Sequence, residues 1–175
     1  MSGVSLEVPA RNNVEIGAIA AQIRQAFRWT ENKFPIVEAV ELGLPQIWSD
    51  FEFQVAEYRD MPGEHGLTYP DEKRIVIRED VYEGALAGVG RDRFTVAHEL
   101  GHLLMHSGLG LARHVRKGDV PPYRDSEWQA NSFAGALLVP RTAVTPGAGV
   151  HEVADRCGVS CDAAGVMMRK YAQQK

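Results

Sequence analysis

The chain contains the stretch Phe94-Thr-Val-Ala-His98-Glu99-Leu-Gly-His102-Leu-Leu-Met-His106 near its middle, and within it the pattern His-Glu-x-x-His. Residues four apart on an α-helix lie on one face, so His98 and His102 can direct ring nitrogens at one metal ion about 2.0–2.1 Å away. Glu99 is then placed beside that ion, where it can accept a proton from water during peptide hydrolysis. The stretch therefore predicts a zinc site on a helix.

The residues around the motif predict that this helix is buried. Its other faces are apolar and are formed by Val96, Ala97, Leu100, Leu103 and Leu104. We expect Asp92 to cap the N-terminus of the helix and Gly108 to end it. A chance match would not be expected inside an apolar helix that is followed by a second helix with a suitable third ligand. We therefore interpret the motif as a metal site.

A second helix is predicted over residues 125–140, with Asp125 as its N-cap and Pro140 at its end. A catalytic zinc has three protein ligands and leaves a fourth position for water, so the two histidines need one more ligand. Glu127 is the best candidate, because it lies in the first turn of this helix and small residues behind it allow close approach to the motif helix. Asn131, one turn later, can accept a hydrogen bond from the outer nitrogen of a zinc histidine and fix its tautomer.

Four other side chains could supply the third ligand in place of Glu127, namely His106, His114, Asp125 and His151. His106 is eight residues from His98 and has turned about 80° away from it, so we expect it to flank the cleft. The other three are expected to be solvated or hydrogen-bonded. For Glu127 itself, the alternative is a carboxylate that only stabilises the helix N-terminus, by about 0.3–1 kcal/mol.

The composition is that of an ordinary globular protein. Of the 175 residues, 45% are hydrophobic and 24% are charged, so we expect a single domain, 1–175, with a true core. The net charge of −4 argues against a large phosphate-binding surface. The first residues lack the basic and apolar regions of a signal peptide, and no apolar run has the length of a membrane span. We therefore expect a cytoplasmic protein that does not contact the membrane.

Hydrophobic periodicity predicts an α+β fold for the rest of the chain. A packing helix is expected at 16–27, followed by a short second helix that Gly43 ends. Alternation with period two predicts a small, mostly antiparallel sheet packed on the helices. Its three strands are expected at 51–58, 67–69 and 74–78, with a hairpin turn at 70–73. Residues 81–91 should form a loop or a weak helix, and residues 108–124 a long connection beside the metal.

The C-terminal segment, residues 150–175, is predicted to form two short helices with a tight turn between them. Ser160 is the expected N-cap of the second helix, and the outline is like that of a helix-turn-helix. Four basic and three acidic residues give the segment a balance of only +1, so direct binding to nucleic acid is unlikely and packing or partner docking is expected. Cys157 and Cys161 are too few for a disulfide framework, and a redox or metal role for them is the alternative to simple packing.

Two motifs together carry a family resemblance: residues 94–106, and Glu127-x-x-Ala-Asn-x-Phe-Ala-x-x-Leu-Leu-Val-Pro140. With the preceding helix and strands, residues 15–140 resemble the ImmA/IrrE family of zinc metallopeptidases. The resemblance implies a minimal zincin-like core, which we place at 12–145. It also implies three zinc ligands and a catalytic base, which are His98, His102 and Glu127, and Glu99. Val139 stands where methionine is commoner, a change that conserves volume.

The resemblance also implies a partner. Proteins of this family are often encoded beside helix-turn-helix repressors in prophages, mobile elements, toxin-antitoxin-like pairs or a DNA-damage response, and they cleave the repressor. We therefore expect a zinc endopeptidase that hydrolyses a peptide bond in a protein partner, with a helix-turn-helix repressor as the expected substrate. The alternative is a non-catalytic regulator that binds a repressor or toxin partner and uses zinc structurally, although a structural site has no use for Glu99.

Two parts of the mechanism stay open at the level of sequence. A donor must stabilise the oxyanion that forms during hydrolysis, and Tyr123, His114 and Arg124 in or beside the long connection are the candidates. The substrate must also be held in register, and an extended segment could pair with an exposed edge of the sheet. The strands at 67–69 and 74–78 precede the motif helix most closely and are the expected edge.

Overall fold

The computed structural model describes residues 5–109, 113–116 and 118–173. Its helices are α1 (Asn13–Ala26), α2 (Ile36–Glu38), α3 (Leu44–Ile47), α4 (Glu79–Leu86), α5 (Gly90–Met105), α6 (Ser126–Leu138), α7 (Val150–Cys157) and α8 (Cys161–Gln173). Its strands are β1 (Glu52–Ala56), β2 (Gly66–Tyr69) and β3 (Arg74–Arg78). The predicted α+β class is confirmed. Within the described residues, none of the helices has the apolar length that crossing a membrane requires.

The sheet is mixed and has the strand order β1-β3-β2. β2 and β3 are antiparallel and are joined by the predicted turn, in which Lys73 adopts the left-handed conformation with a φ of 49°. β1 runs parallel to β3, from Glu52 opposite Arg74 to Ala56 opposite Arg78. Mostly antiparallel pairing is expected from the sequence. β1 departs from it because the chain reverses direction between β2 and β3, and β3 then lies between β2 and β1, running in the same direction as β1. β3 is therefore the central strand, and β1 and β2 are the two edges.

The short helix predicted after α1 continues past Gly43, where the sequence suggests that it ends. α2 leads into a π-helical turn, Ala39–Gly43, and then into α3. Gly43 has a packing role instead, because a Cβ atom on it would overlap the ring of Phe27. The prediction of a helix end at Gly43 was wrong, and the glycine is explained by the close approach of an aromatic ring.

Helix α5 carries the motif and lies in the core. It begins at Gly90, two residues before the predicted cap Asp92, and is followed by His106. On one side of it, Val96, Leu100 and Leu103 belong to the main cluster of buried apolar residues. The preceding segment, expected to be a loop or a weak helix, is largely occupied by α4.

Residues 5–12, called here the N-terminal segment, run beside the start of α6. The Ser5 hydroxyl donates to Oδ1 of Asp125 at 2.7 Å, and the backbone N–H of Leu6 donates to Oγ of Ser126 at 2.9 Å. Further backbone hydrogen bonds join the same segment to the connection that precedes α6. The N-terminal segment therefore fixes the end of the helix on which Glu127 lies.

Helices α7 and α8 are the two helices predicted at the C-terminus. Gly158 follows α7 in the left-handed conformation, with a φ of 63°, and Oγ of Ser160 accepts the N–H of Ala163 at 3.2 Å as the predicted N-cap. α8 packs tightly on α6, since a Cβ atom on Gly135 would lie 2.6 Å from Sδ of Met167. The division into a core at 12–145 and a segment at 150–175 stays a prediction, and residues 174–175 lie outside the described residues.

Candidate metal centre

The site is built where α5 and α6 cross at very short range. A Cβ atom on Gly101 of α5 would lie 3.0 Å from Cδ1 of Phe133 and 3.2 Å from Cα of Ala130, both on α6. Glycine at position 101 therefore lets the two helices approach almost backbone to backbone. This approach brings the first turn of α6 beside the histidines of α5.

Three side chains from these helices converge on one point. Nε2 of His98 and Nε2 of His102 are 3.0 Å apart. Oε1 of Glu127 lies 3.1 Å from Nε2 of His102, and Oε2 of Glu127 lies 3.4 Å from Nε2 of His98. Four ligands placed tetrahedrally at 2.0–2.1 Å from zinc are about 3.3 Å from one another. The observed separations are therefore close to those that a tetrahedral metal ion requires.

The outer nitrogen of His98 is engaged by the residue predicted to engage it. Nδ1 of His98 lies 3.1 Å from Oδ1 of Asn131 on α6. An amide oxygen only accepts hydrogen bonds, so Nδ1 must carry the hydrogen. Because a neutral imidazole has one N–H group, Nε2 of His98 then presents its lone pair to His102 and Glu127.

The outer nitrogen of His102 begins a series of hydrogen bonds that the sequence does not reveal. Nδ1 of His102 lies 2.9 Å from Nδ1 of His106, and Nε2 of His106 lies 3.2 Å from Oε1 of Gln129. The amide nitrogen of Gln129 donates to the carbonyl oxygens of Pro9 and Tyr123, each at 2.8 Å. Carbonyl oxygens only accept hydrogen bonds, so the side-chain atom of Gln129 that faces these two must be its nitrogen. The atom that faces His106 must therefore be its oxygen.

This series of hydrogen bonds fixes the hydrogen positions on both rings. The Gln129 oxygen accepts, so Nε2 of His106 donates and Nδ1 of His106 is left as an acceptor. His102 must then donate from Nδ1 and present the lone pair of Nε2 to the cluster. Burial, reinforced by the neighbouring His102, lowers the pKa of His106 to about 4, which keeps the ring neutral in this role. His106, expected to flank the cleft, is instead 4% exposed and orients the ring of His102.

The electrostatics of the cluster favour a positive charge at its centre. Burial disfavours the charged form of Glu127, but His102 and His98, which in their protonated forms would donate to it from Nε2, outweigh this and hold the pKa of the carboxyl well below its usual range. The pKa of His98 is raised, because the contributions of Glu127 and Glu99 outweigh burial. A metal ion satisfies the same demand as a proton. The donor set of two imidazoles and one carboxylate, with fixed tautomers, fits a bound metal.

Glu99 lies beside the cluster and is held by strand β2. Its side chain is buried, and the Thr68 hydroxyl lies 2.7 Å from Oε2 and 3.0 Å from the backbone oxygen of Glu99. A Cβ atom on Gly66 would lie 2.8 Å from Cγ of Glu99 and 3.0 Å from Oε1. Glycine at position 66 therefore makes room for the carboxylate against the edge of the sheet. Neither Thr68 nor Gly66 belongs to a recognisable motif, so the sequence does not single them out.

The remaining candidate residues lie elsewhere or have other partners. Asp125 is the N-cap of α6, accepting the N–H groups of Glu127 and Trp128. In the described part of the chain, no hydrogen bond joins the side chain of Tyr123 or His114 to the three converging residues, and both side chains are exposed, like that of Arg124. The oxyanion donor therefore stays a prediction.

Cys157 is buried, whereas Cys161 is exposed with Sγ 3.2 Å from Nδ1 of His151. Among the described residues, one group of three potential ligands has all its ligand atoms within 4.8 Å of one another: His98, His102 and Glu127. Neither the cysteines nor His151 belong to such a group.

Comparison with known protein families matches residues 56–169 to the IrrE N-terminal-like domain, peptidase family M78. The match covers more than half of the chain and includes both helices of the candidate site. It extends beyond Pro140 into α8, further than the resemblance drawn from the two motifs. No curated protein matches the chain.

Proposed function

The chain belongs to the IrrE N-terminal-like domain family of M78 peptidases, and from this premise we propose that it is a zinc-dependent endopeptidase that hydrolyses a peptide bond in a protein partner. The observation that carries the proposal is the convergence of three lone-pair donors. The tautomers of the two histidines among them are fixed by hydrogen bonds to their outer nitrogens. Two imidazoles and one carboxylate, at separations suited to a tetrahedron, are a donor set typical of catalytic zinc. When bound there, zinc would polarise the scissile carbonyl and make water more acidic.

Glu99 is the proposed general base. Thr68 occupies one carboxylate oxygen, Oε2, and leaves Oε1 to accept a proton from the attacking water. The same oxygen then donates that proton to the amine that leaves. The rings of His98 and His102 keep their positions throughout, because Asn131 holds one and the hydrogen bonds from His106 to Gln129 hold the other.

We propose that the substrate adds to strand β2 as a further strand. β2 is an edge of the sheet, whereas β3, the other strand expected at the edge, is central. Gly66 and Thr68 of β2 contact Glu99, so a peptide paired with β2 would lie beside the base. Backbone hydrogen bonds at a sheet edge hold an extended segment in register.

This geometry restricts the form of the substrate. Backbone groups already paired inside a helix cannot join a sheet, so the cleaved bond must lie in a linker or in a locally unfolded segment. A helix-turn-helix repressor, the proposed partner, would be cleaved between its structured parts. N-methylation of successive amides in a cleaved peptide tests this: cleavage should be lost at alternating positions, and uniform tolerance would contradict strand addition.

The function itself is tested by the variant Glu99→Gln. We expect cleavage of a candidate repressor by the zinc-loaded protein to fall by about 10²–10⁴-fold, since the base is lost, while zinc content and fold are unchanged. Fragments are quantified by mass spectrometry and zinc by atomic absorption. Glu83→Gln, an exposed carboxylate on α4, is the matched control and should cleave at the wild-type rate.

Cleavage by Glu99→Gln at the wild-type rate would contradict the proposed mechanism. A wild-type protein that binds the repressor with zinc present and leaves it intact would favour the alternative, a non-catalytic regulator.

A further inference from the structure

A separate cavity lies against α6 on the side away from the metal centre. It has a volume of about 270 Å³, is open to solvent on one side, and is bounded by α1, α6 and α8, with Pro140 and Arg141 at one end. From α6 it is lined by Ser132 and Ala136. These residues come five positions after Glu127 and Asn131, and five residues turn a helix by about 140° beyond a full turn. The cavity and the metal centre therefore occupy opposite faces of one helix.

The polar part of the cavity is cationic. Its lining residues include Arg24, Arg141 and Lys170, and no aspartate or glutamate. Nζ of Lys170 donates to Oγ of Ser132 at 3.0 Å and to Oδ1 of Asn13 at 3.3 Å. In the part of the chain that the structure describes, Lys170 forms no ion pair. Burial lowers its pKa, which is the cost of enclosing an ammonium group without a counter-charge.

The other two cations contribute to the same positive field. The buried guanidinium of Arg24 donates from Nη1 to the backbone oxygen of Leu137 at 2.8 Å and also bonds the backbone oxygen of Glu31. Carbonyl oxygens satisfy its N–H groups but do not neutralise its charge. The guanidinium of Arg141 lies 5.5 Å from the ring centre of Tyr171, another lining residue. An anion that entered the cavity would therefore meet Lys170 and Arg24 among the lining residues, and no aspartate or glutamate.

The rest of the lining is small or apolar and leaves open space. It includes Val14, Gly17, Ala21, Ala136 and Met167. A Cβ atom on Gly17 would have no neighbour within 4 Å, so space continues up to the backbone of α1. The volume is just below the lower end of about 300 Å³ for pockets that hold drug-sized ligands. The cavity thus has the size of a compact organic molecule.

We propose that this cavity is a binding site for a small organic anion, a carboxylate or phosphate monoester on an apolar body. The charged group contacts Lys170 and the apolar body fills the space beside Gly17. Charge-assisted hydrogen bonds to Lys170 supply much of the affinity. The site is distinct from the metal centre and does not depend on peptidase activity.

The experiment is an NMR titration of the zinc-loaded, ¹⁵N-labelled full chain with three probes: benzoate, phenyl phosphate and the neutral benzamide. Sodium chloride keeps the ionic strength constant. We expect saturable shifts at the amides of Gly17, Ser132 and Lys170 with at least one anion, with a Kd in the ~millimolar range for a probe of this size. Benzamide should bind at least about tenfold more weakly. The anion that binds more tightly identifies the headgroup. Absence of saturable shifts with both anions, or equal binding of benzamide, would overturn the proposal.

Three variants test the location. Lys170→Met keeps the length of the side chain and should weaken anion binding by at least about tenfold. Arg169→Met removes the same charge from the exposed neighbouring residue and should change the Kd less than about twofold, as expected for a screened surface charge. Gly17→Leu leaves all three cations in place, improves helix propensity and fills the cavity, so binding should be lost. Equal weakening by the Lys170 and Arg169 variants, or wild-type binding by Gly17→Leu, would contradict the assignment.

Discussion

On one side of α5, Val96, Leu100 and Leu103 pack into the apolar core, whereas on the other side His98 and His102 are held by hydrogen bonds. The apolar side depends on area and shape, and several residue types of similar volume would satisfy it. The polar side depends on a series of specific hydrogen-bonding side chains, each of which determines the hydrogen position on the next. One helix therefore combines an apolar face that contributes to stability with a polar face that carries the candidate metal ligands, and the two faces should respond differently to substitution.

The largest effect is expected on the apolar face. Leu100→Ala should lower the free energy of unfolding by about 2.7–5 kcal/mol, because it removes a fully buried side chain and leaves a cavity. Zinc bound per folded molecule should stay unchanged. Urea denaturation with chelator present measures the first quantity, and zinc content under native conditions the second. Leu86→Ala, at a residue that is 54% exposed, is the control and should cost less than about 0.5 kcal/mol.

A Leu100→Ala protein that is folded by circular dichroism but has lost zinc would break the proposed separation of the two faces.

Glu127→Ala tests the polar face directly. Structural zinc is held by about 10–16 kcal/mol over four ligands, so one ligand accounts on average for about 2.5–4 kcal/mol. We therefore expect at least about a hundredfold weaker zinc binding, measured by competition with a chelating dye. Asp162→Ala removes a carboxylate from the first turn of α8, a helix of the same length, and should leave zinc affinity unchanged. A full equivalent of zinc at wild-type affinity would remove Glu127 from the ligand set.

Gln129→Leu sharpens the comparison because Gln129 acts on the candidate metal site only through His106 and His102. It removes the acceptor for His106 and the donors to Pro9 and Tyr123, so His102 loses the support that fixes its tautomer. Zinc affinity should fall by about tenfold to a hundredfold. In the wild-type protein, ¹H–¹⁵N spectra of the rings should show hydrogen on Nδ1 of His102 and on Nε2 of His106.

Gln25→Leu, an exposed glutamine on α1, is the matched control for that change. The opposite tautomers, or unchanged zinc affinity in the Gln129 variant, would contradict this series of hydrogen bonds.

The smallest effect is expected from Gly66→Ala. The new methyl group would lie 2.8 Å from Cγ of Glu99, so the side chain of Glu99 must shift. We expect kcat to fall by less than about tenfold, within the range that general-base catalysis contributes, with zinc content unchanged. Gly63→Ala is the control, since a Cβ atom there has no neighbour within 4 Å. A larger loss in the control than in Gly66→Ala would show that Glu99 is not constrained by β2.

The parts of the molecule that the sequence predicts are those set by near neighbours in the chain. Helix α5 follows from apolar spacing, the start of α6 from the cap at Asp125, and the turn between β2 and β3 from residues 70–73. The same holds for the approach of Asn131 to His98, since both lie on predicted helices and helical spacing gives their faces.

The parts that the sequence does not predict depend on contacts between distant residues. Alternation identifies β1 as a strand but carries no information on its partner or direction, so the parallel pairing with β3 is not visible. His106 and Gln129 are polar residues on different elements, and no spacing rule links them. In the sequence, Gly43 resembles a helix end, because its contact with Phe27 at the end of another helix is not visible there.

The N-terminal segment has a consequence for the time at which the site forms during synthesis. Ser5 and Leu6 bond residues 120 positions later in the chain. Translation adds about 5–20 residues per second, so the partners of this segment are made roughly 6–24 s after it. The loop that these contacts close is long. Closing it is entropically unfavourable, and the contacts must offset that loss. Glu127 itself follows His102 by 25 residues, or roughly 1–5 s of translation, so we expect the histidines of α5 to exist in a nascent chain before the three candidate ligands can converge.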